Sequence, residues 1–77
     1  MSKAIETRYV GHSAAKPARI IARAWPNLRM VRVYDSEMTP EDNHSCAAAA
    51  LISAYGWGGK WIMGSNVKGD GYYHVKV

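Results

Sequence analysis

The stretch TPEDNHSCAAAALISAYGW, residues 39–57, marks one helix at both ends and so divides the chain around it. Thr39 suits the amino-terminal cap, where its hydroxyl accepts a backbone N–H, and Pro40 suits the first helical position, where a missing N–H costs nothing. Asp42, three residues after Thr39, approximates a capping box with Asp in place of Glu or Gln. Glu41 and Asp42 also set negative charge against the positive end of the helix dipole. Gly56 can adopt the left-handed conformation that closes a helix. Within these limits His44, Ala47, Ala48, Leu51, Ile52 and Tyr55 recur at helical spacing, predicting one buried stripe. Two alanines in that stripe imply a close approach to whatever it covers. Ile20, Val31, Val33 and Val75 are expected to fill the space between.

The flanking segments alternate with the period of a strand. Residues 4–10 place Ile5, Thr7 and Tyr9 on one side and Glu6, Arg8 and Val10 on the other. Residues 19–25 set Ile20, Ala22 and Ala24 against Arg19, Ile21, Arg23 and Trp25. Pro26 and Asn27 make a short turn into a third strand over 28–34. After the helix, Gly58 and Gly59 form a joint, 60–64 reads as a strand, 65–71 as a turn and 72–77 as a last strand. The order is β-β-β-α-β-β. Short links between neighbours favour antiparallel pairing, so the fold expected is α+β: a single antiparallel sheet with one helix packed on one face. The 77 residues are expected to form a single domain, 1–77. Tyr- and Val-rich strands near the carboxyl end, if they form exposed edges, predict edge-to-edge pairing into a homodimer, with a monomer as the alternative.

Charge is distributed unevenly. Residues 1–34 carry Lys3, Arg8, Lys16, Arg19, Arg23, Arg29 and Arg32 against the single acid Glu6, within a net charge of +4. The acids Asp35, Glu37, Glu41 and Asp42 then gather around the helix start. A basic surface favours anionic partners. The lone Cys46 forms no internal disulfide and reads as a small packing residue in a reducing compartment. The segment MSKAIETRYV has no long apolar core, so no signal peptide is expected, and no apolar run reaches the ~20 residues of a membrane span. The expected location is the cytoplasm.

Catalytic motifs are missing: the sequence contains no HExxH, CxxC, GxSxG or P-loop string. Cys46 and His44 stand two apart on a helix and so point in different directions. Neither enzyme activity, a cofactor nor a bound metal is expected. His44, on the apolar stripe, reads as a core imidazole bonded to a backbone carbonyl or a strand hydroxyl. Binding has better candidates. The loop 11–18, GHSAAKPA, joins small residues that expose backbone N–H groups to the donors His12, Ser13, Lys16 and Arg19, a combination able to hold a phosphate or carboxylate. Arg23 and Trp25 share a strand face, while Trp57, Trp61 and Tyr72 flank the second half of the sheet. Guanidinium groups beside aromatic planes suit a nucleotide or a single-stranded nucleic acid.

The segments TRYVG (7–11), ARIIA (18–22), DNHSCAAAAL (42–51), YGW (55–57) and KGDGYYHV (68–75) together resemble a family of small bacteriophage and prophage accessory proteins. The stretch from the paired alanines through GSN is also similar, more loosely, to a small phage anti-CRISPR protein. The resemblance spans nearly the whole chain. It implies a protein acting in the bacterial host cytoplasm to counter antiviral defence. Family members show a Thr-Asn and Arg-Gly loop before the Arg-Ile strand, where this chain has HSAAKPA. The resulting expectation is a non-enzymatic binder that sequesters a nucleotide-like anionic signalling molecule through His12, Ser13, Lys16, Arg19, Arg23 and Trp25. Two alternatives stand beside it: an inhibitor docking on a host defence protein, and a small single-stranded nucleic-acid binder.

Overall fold

A computed structural model describes residues 4–65, 69 and 71–77. Five strands and one helix follow one another as β1 (Ala4–Val10), β2 (Arg19–Ala24), β3 (Leu28–Val33), α1 (Pro40–Ala54), β4 (Trp61–Ser65) and β5 (Gly71–Lys76). The strands form one antiparallel sheet in the order β3-β2-β1-β5-β4, with α1 packed on it. The fold is α+β, as the alternation predicts. The turn expected over 65–71 falls largely on 66–68 and 70, which lie outside the described residues.

Local chemistry places α1. The Thr39 side chain accepts the Asp42 N–H at 3.1 Å, and Gly56 takes φ 68° just beyond the last turn. The Trp57 N–H reaches the Ile52 carbonyl and the Gly56 N–H reaches that of Ser53, closing the helix in a Schellman motif. Buried Asn43 fixes the approach to the helix. Its side-chain oxygen accepts the Asp35 N–H at 2.8 Å, and its amide donates to the carbonyls of Asp35 at 2.9 Å and Thr39 at 3.0 Å. The acidic segment 35–39 is thereby held against the first turn.

Strand register decides what faces the helix. Ile5 lies opposite Ala24 and His74, and Thr7 opposite Ala22 and Tyr72. The core is Ile5, Ile20 and Ala22 from the sheet with Ala47, Ala48 and Leu51 from α1, flanked by half-buried Leu28, Met30, Ile52, Trp57 and Trp61. Two fully covered alanines leave no room for added bulk. Ala48→Leu should destabilise the fold by about 1–3 kcal/mol, read as a lower denaturation midpoint, whereas an unchanged midpoint would mean that another helix face meets the sheet.

Several expectations need correcting. Val31, Val33 and Val75 do not fill the gap under the helix. Val31 pairs with Ile21, Val33 with Arg19 and Val75 with Ala4, all on the opposite sheet face, and all three valines are exposed. Tyr55 is exposed beyond the end of the buried stripe, which is made by Asn43, His44, Ala47, Ala48 and Leu51. Cys46 is exposed as well, because its position turns away from that stripe. The last strand is not an edge: β5 lies between β1 and β4, so the free edges belong to β3 and β4. The pairing surface assumed for a homodimer is therefore absent from the last strand.

Candidate interaction face

Alternation within each strand sends every second side chain away from α1. Register assembles these side chains into rows across an uncovered sheet face. One row runs Gly64, Tyr73, Glu6, Arg23, Arg29; the next runs Gly71, Arg8, Ile21, Val31; a third runs Val10, Arg19, Val33. Arg8, Arg19, Arg23 and Arg29 thus share the face with Glu6, its one acid among the described residues. The acids near the helix start lie around Asn43 and Thr39, on the helix side. Exposed Val31 and Val33 add apolar surface among the arginines, and exposed Tyr73, Val75 and Ile62 continue it over β5 and β4. A face rich in arginine and aromatic residues has the composition of a binding surface.

At one end of this face Glu6, Arg23, Trp25 and Tyr73, with Ala4 and Ala24, line a shallow depression of about 250 Å³. Trp25 follows the last residue of β2 in the turn to β3 and is 82 % exposed. That exposure is costly for an indole in water, and it offers a flat ring to a guest.

The six residues singled out in the sequence fall into two groups. Arg23 and Trp25 come together at the depression. His12, Ser13 and Lys16 are exposed on the loop at the other end of β2, where the Ser13 N–H closes a turn onto the Lys16 carbonyl at 2.8 Å. Arg19 stands on the same sheet face as Arg23, roughly 13 Å away at strand rise, and its guanidinium donates to the Pro17 carbonyl at 3.3 Å. One continuous pocket does not unite all six. The expected aromatic grouping divides too: Trp61 and Tyr72 project to the helix side, where Trp57 stacks on Trp61 at 6.3 Å, leaving Tyr73 and Trp25 for the open face. Sequence reading missed Arg8, Arg29 and Tyr73 as members of this surface. Their alternation was visible, but the register bringing them beside Arg23 was not.

The helix side carries a second polar arrangement. Buried Thr7 sits between two buried imidazoles, 2.8 Å from His44 Nδ1 and 3.0 Å from His74 Nε2, and 3.4 Å from the Tyr72 carbonyl. One hydroxyl carries one hydrogen, so it donates to one of these partners and accepts from imidazole N–H. The strand hydroxyl foreseen for His44 is thus Thr7. Burial, reinforced by the neighbouring charge of His44, lowers the His74 pKa from 6.5 to about 4. His74 is therefore neutral at physiological pH, and this cluster serves the core.

The described residues thus form an α+β scaffold: a one-sided antiparallel sheet, covered by one helix and left basic and aromatic on its other face. No protein-family model, curated protein or solved structure matches the chain. Among the described residues no helix is long and apolar enough to cross a membrane.

Proposed function

We propose that this chain is a non-enzymatic binding protein that captures a nucleotide-like anionic signalling molecule on its open sheet face, in the service of a phage countering host defence. The observation that carries the reading is the convergence of Arg23, Trp25 and Tyr73 on one depression in the face that α1 leaves bare. A base lies against the indole or phenol ring, and the guanidinium of Arg23 takes the phosphate through paired charge-assisted hydrogen bonds. Arg29, Arg8 and Arg19 extend the positive field and draw anions toward the site. The resemblance to phage accessory proteins supports the counter-defence role.

Thermal denaturation against a panel of mononucleotides and cyclic dinucleotides tests this. A ligand present at 100 times its Kd should add about 2.7 kcal/mol of stability and raise Tm accordingly. Arg23→Ala combined with Trp25→Ala should abolish the rise while shifting the ligand-free protein by no more than about 0.5 kcal/mol, since both residues are exposed. A loss produced instead by Lys16→Ala with Arg19→Ala, and not by the first pair, would move the site to the 11–18 loop. A flat panel would remove the reading.

A second reading rests on the arginines beyond the depression. Arg29, Arg8 and Arg19 continue the basic track across β3, β1 and β2, longer than a mononucleotide needs. A single-stranded nucleic acid laid along it would be released steeply by salt.

A further inference from the structure

On the helix side, at the start of α1, a cleft of about 310 Å³ is lined by Tyr9, Tyr34, Tyr72, His44 and Pro40, with Gly69 and Gly71 completing the wall. The tyrosines come from separate parts of the chain: β1, the residue after β3, and β5. Each ring is braced by another. Tyr9 and Tyr34 meet edge to face at 5.2 Å and 81°, and Tyr72 meets His44 at 4.7 Å and 64°. His44 is in turn fixed through Nδ1 to Thr7. These contacts brace the aromatic lining of the cleft.

From this lining we infer that the cleft binds an organic cation of the quaternary alkylammonium class. Aromatic faces carry negative charge density, and several rings around one cavity attract a poorly hydrated cation. Beside the cleft stands the carboxylate of Glu41, one of whose oxygens lies 3.5 Å from the Tyr72 hydroxyl and accepts its hydrogen. Among the described residues forming the wall there is no lysine or arginine. Among the described residues an anion would meet Glu41 with no compensating positive side chain in the lining, which sets this site apart from the basic sheet face behind it. The volume suits a trimethylammonium head and a short stem.

Titration of the full chain with choline, and with its uncharged isostere 3,3-dimethylbutan-1-ol, separates charge from shape. Choline should bind saturably and at least about fivefold more tightly than the alcohol, a ratio typical of a cation–π contribution. Glu41→Gln should weaken choline several-fold and leave the alcohol unchanged. Because Tyr9→Leu removes a framing ring, it should abolish choline binding, with circular dichroism verifying the fold. Equal binding of choline and the alcohol would reduce the cleft to an apolar cavity and overturn the inference. So would binding of AMP in place of choline, or no binding by either probe. Comparison of choline with Nε-trimethyllysine amide then tells a free metabolite from a modified protein side chain, and saturable binding of either supports the site.

Discussion

Acidifying the protein from pH 6.5 to pH 4 should remove about 2.5 kcal/mol of folding stability through His74 alone. The imidazole is almost fully buried beside Thr7 and His44, and its pKa falls from 6.5 to about 4. A depressed pKa means that the unfolded chain binds a proton the native protein refuses. Stability from this group is accordingly complete above pH 6.5, declines as the pH falls through the window and is exhausted below about 4. Urea denaturation midpoints measured at half-unit pH steps would show the decline. His74→Gln can still bond to Thr7 but does not titrate; it should be less stable at neutral pH and much flatter across the window. A flat wild-type profile, or an equal slope in the variant, would contradict the account. For a domain of this size the loss is a large part of the total.

Gly71→Ala should be comparably severe, at about 3 kcal/mol or more, lowering Tm by roughly 12 °C or beyond. Gly71 opens β5 opposite Arg8, and a Cβ there would overlap the Thr7 carbonyl of the adjacent strand and crowd the Arg8 Cα. The obstacle is backbone, which cannot rotate away as a side chain would. Relief requires β5 to move from β1, disturbing the Thr7–His74 bond and the Tyr72 wall of the cleft. Gly64 provides the control. It lies on the same sheet face opposite Tyr73, and an added Cβ there meets nothing within 4 Å. Gly64→Ala should be close to neutral by the same melt; matching losses at both positions would indicate a general intolerance of side chains in β4 and β5 and remove the steric explanation.

Much of the fold was legible because its signals are local. The Thr39 cap, the Gly56 stop and the alternation of β1 and β2 each follow from neighbours a few residues apart. Opposite faces of β5 could also be separated, Tyr73 and Val75 from Tyr72 and His74. Which face would meet the helix could not be read there, because both sides of YYHVKV are apolar enough to be core. Only pairing with β1 decides it: Ile5 and Thr7 face α1, so His74 and Tyr72 opposite them must as well. The valines of β3 were misplaced for the same reason. Asn43 was overlooked because a polar residue beside the helix stripe carries no sequence signal of the carbonyls it will meet in the 35–39 segment.

The candidate site was legible in part and for a related reason. Trp25 stands two positions after Arg23, one residue past the end of β2, so the strand's alternation carried one step further puts them together. Tyr73 is 50 positions away and joins them only through the β2–β1–β5 ladder. The loop residues His12, Ser13 and Lys16 were grouped with Arg23 by charge, yet the length of β2 holds the two groups apart. The aromatic cleft left no trace in the sequence, since Tyr9, Tyr34 and Tyr72 meet only after the sheet and helix have formed.

The central claim, nucleotide capture on the open sheet face, is most directly tested by following backbone and indole resonances in a 15N NMR titration with the nucleotide that most raises Tm. The account predicts saturable shifts at the Trp25 indole, Arg23 and Tyr73, with Leu51 and the buried end of α1 undisturbed. Shifts confined to Tyr9, Tyr34 and Tyr72, or to the 11–18 loop, with Trp25 unmoved at saturation, would contradict it.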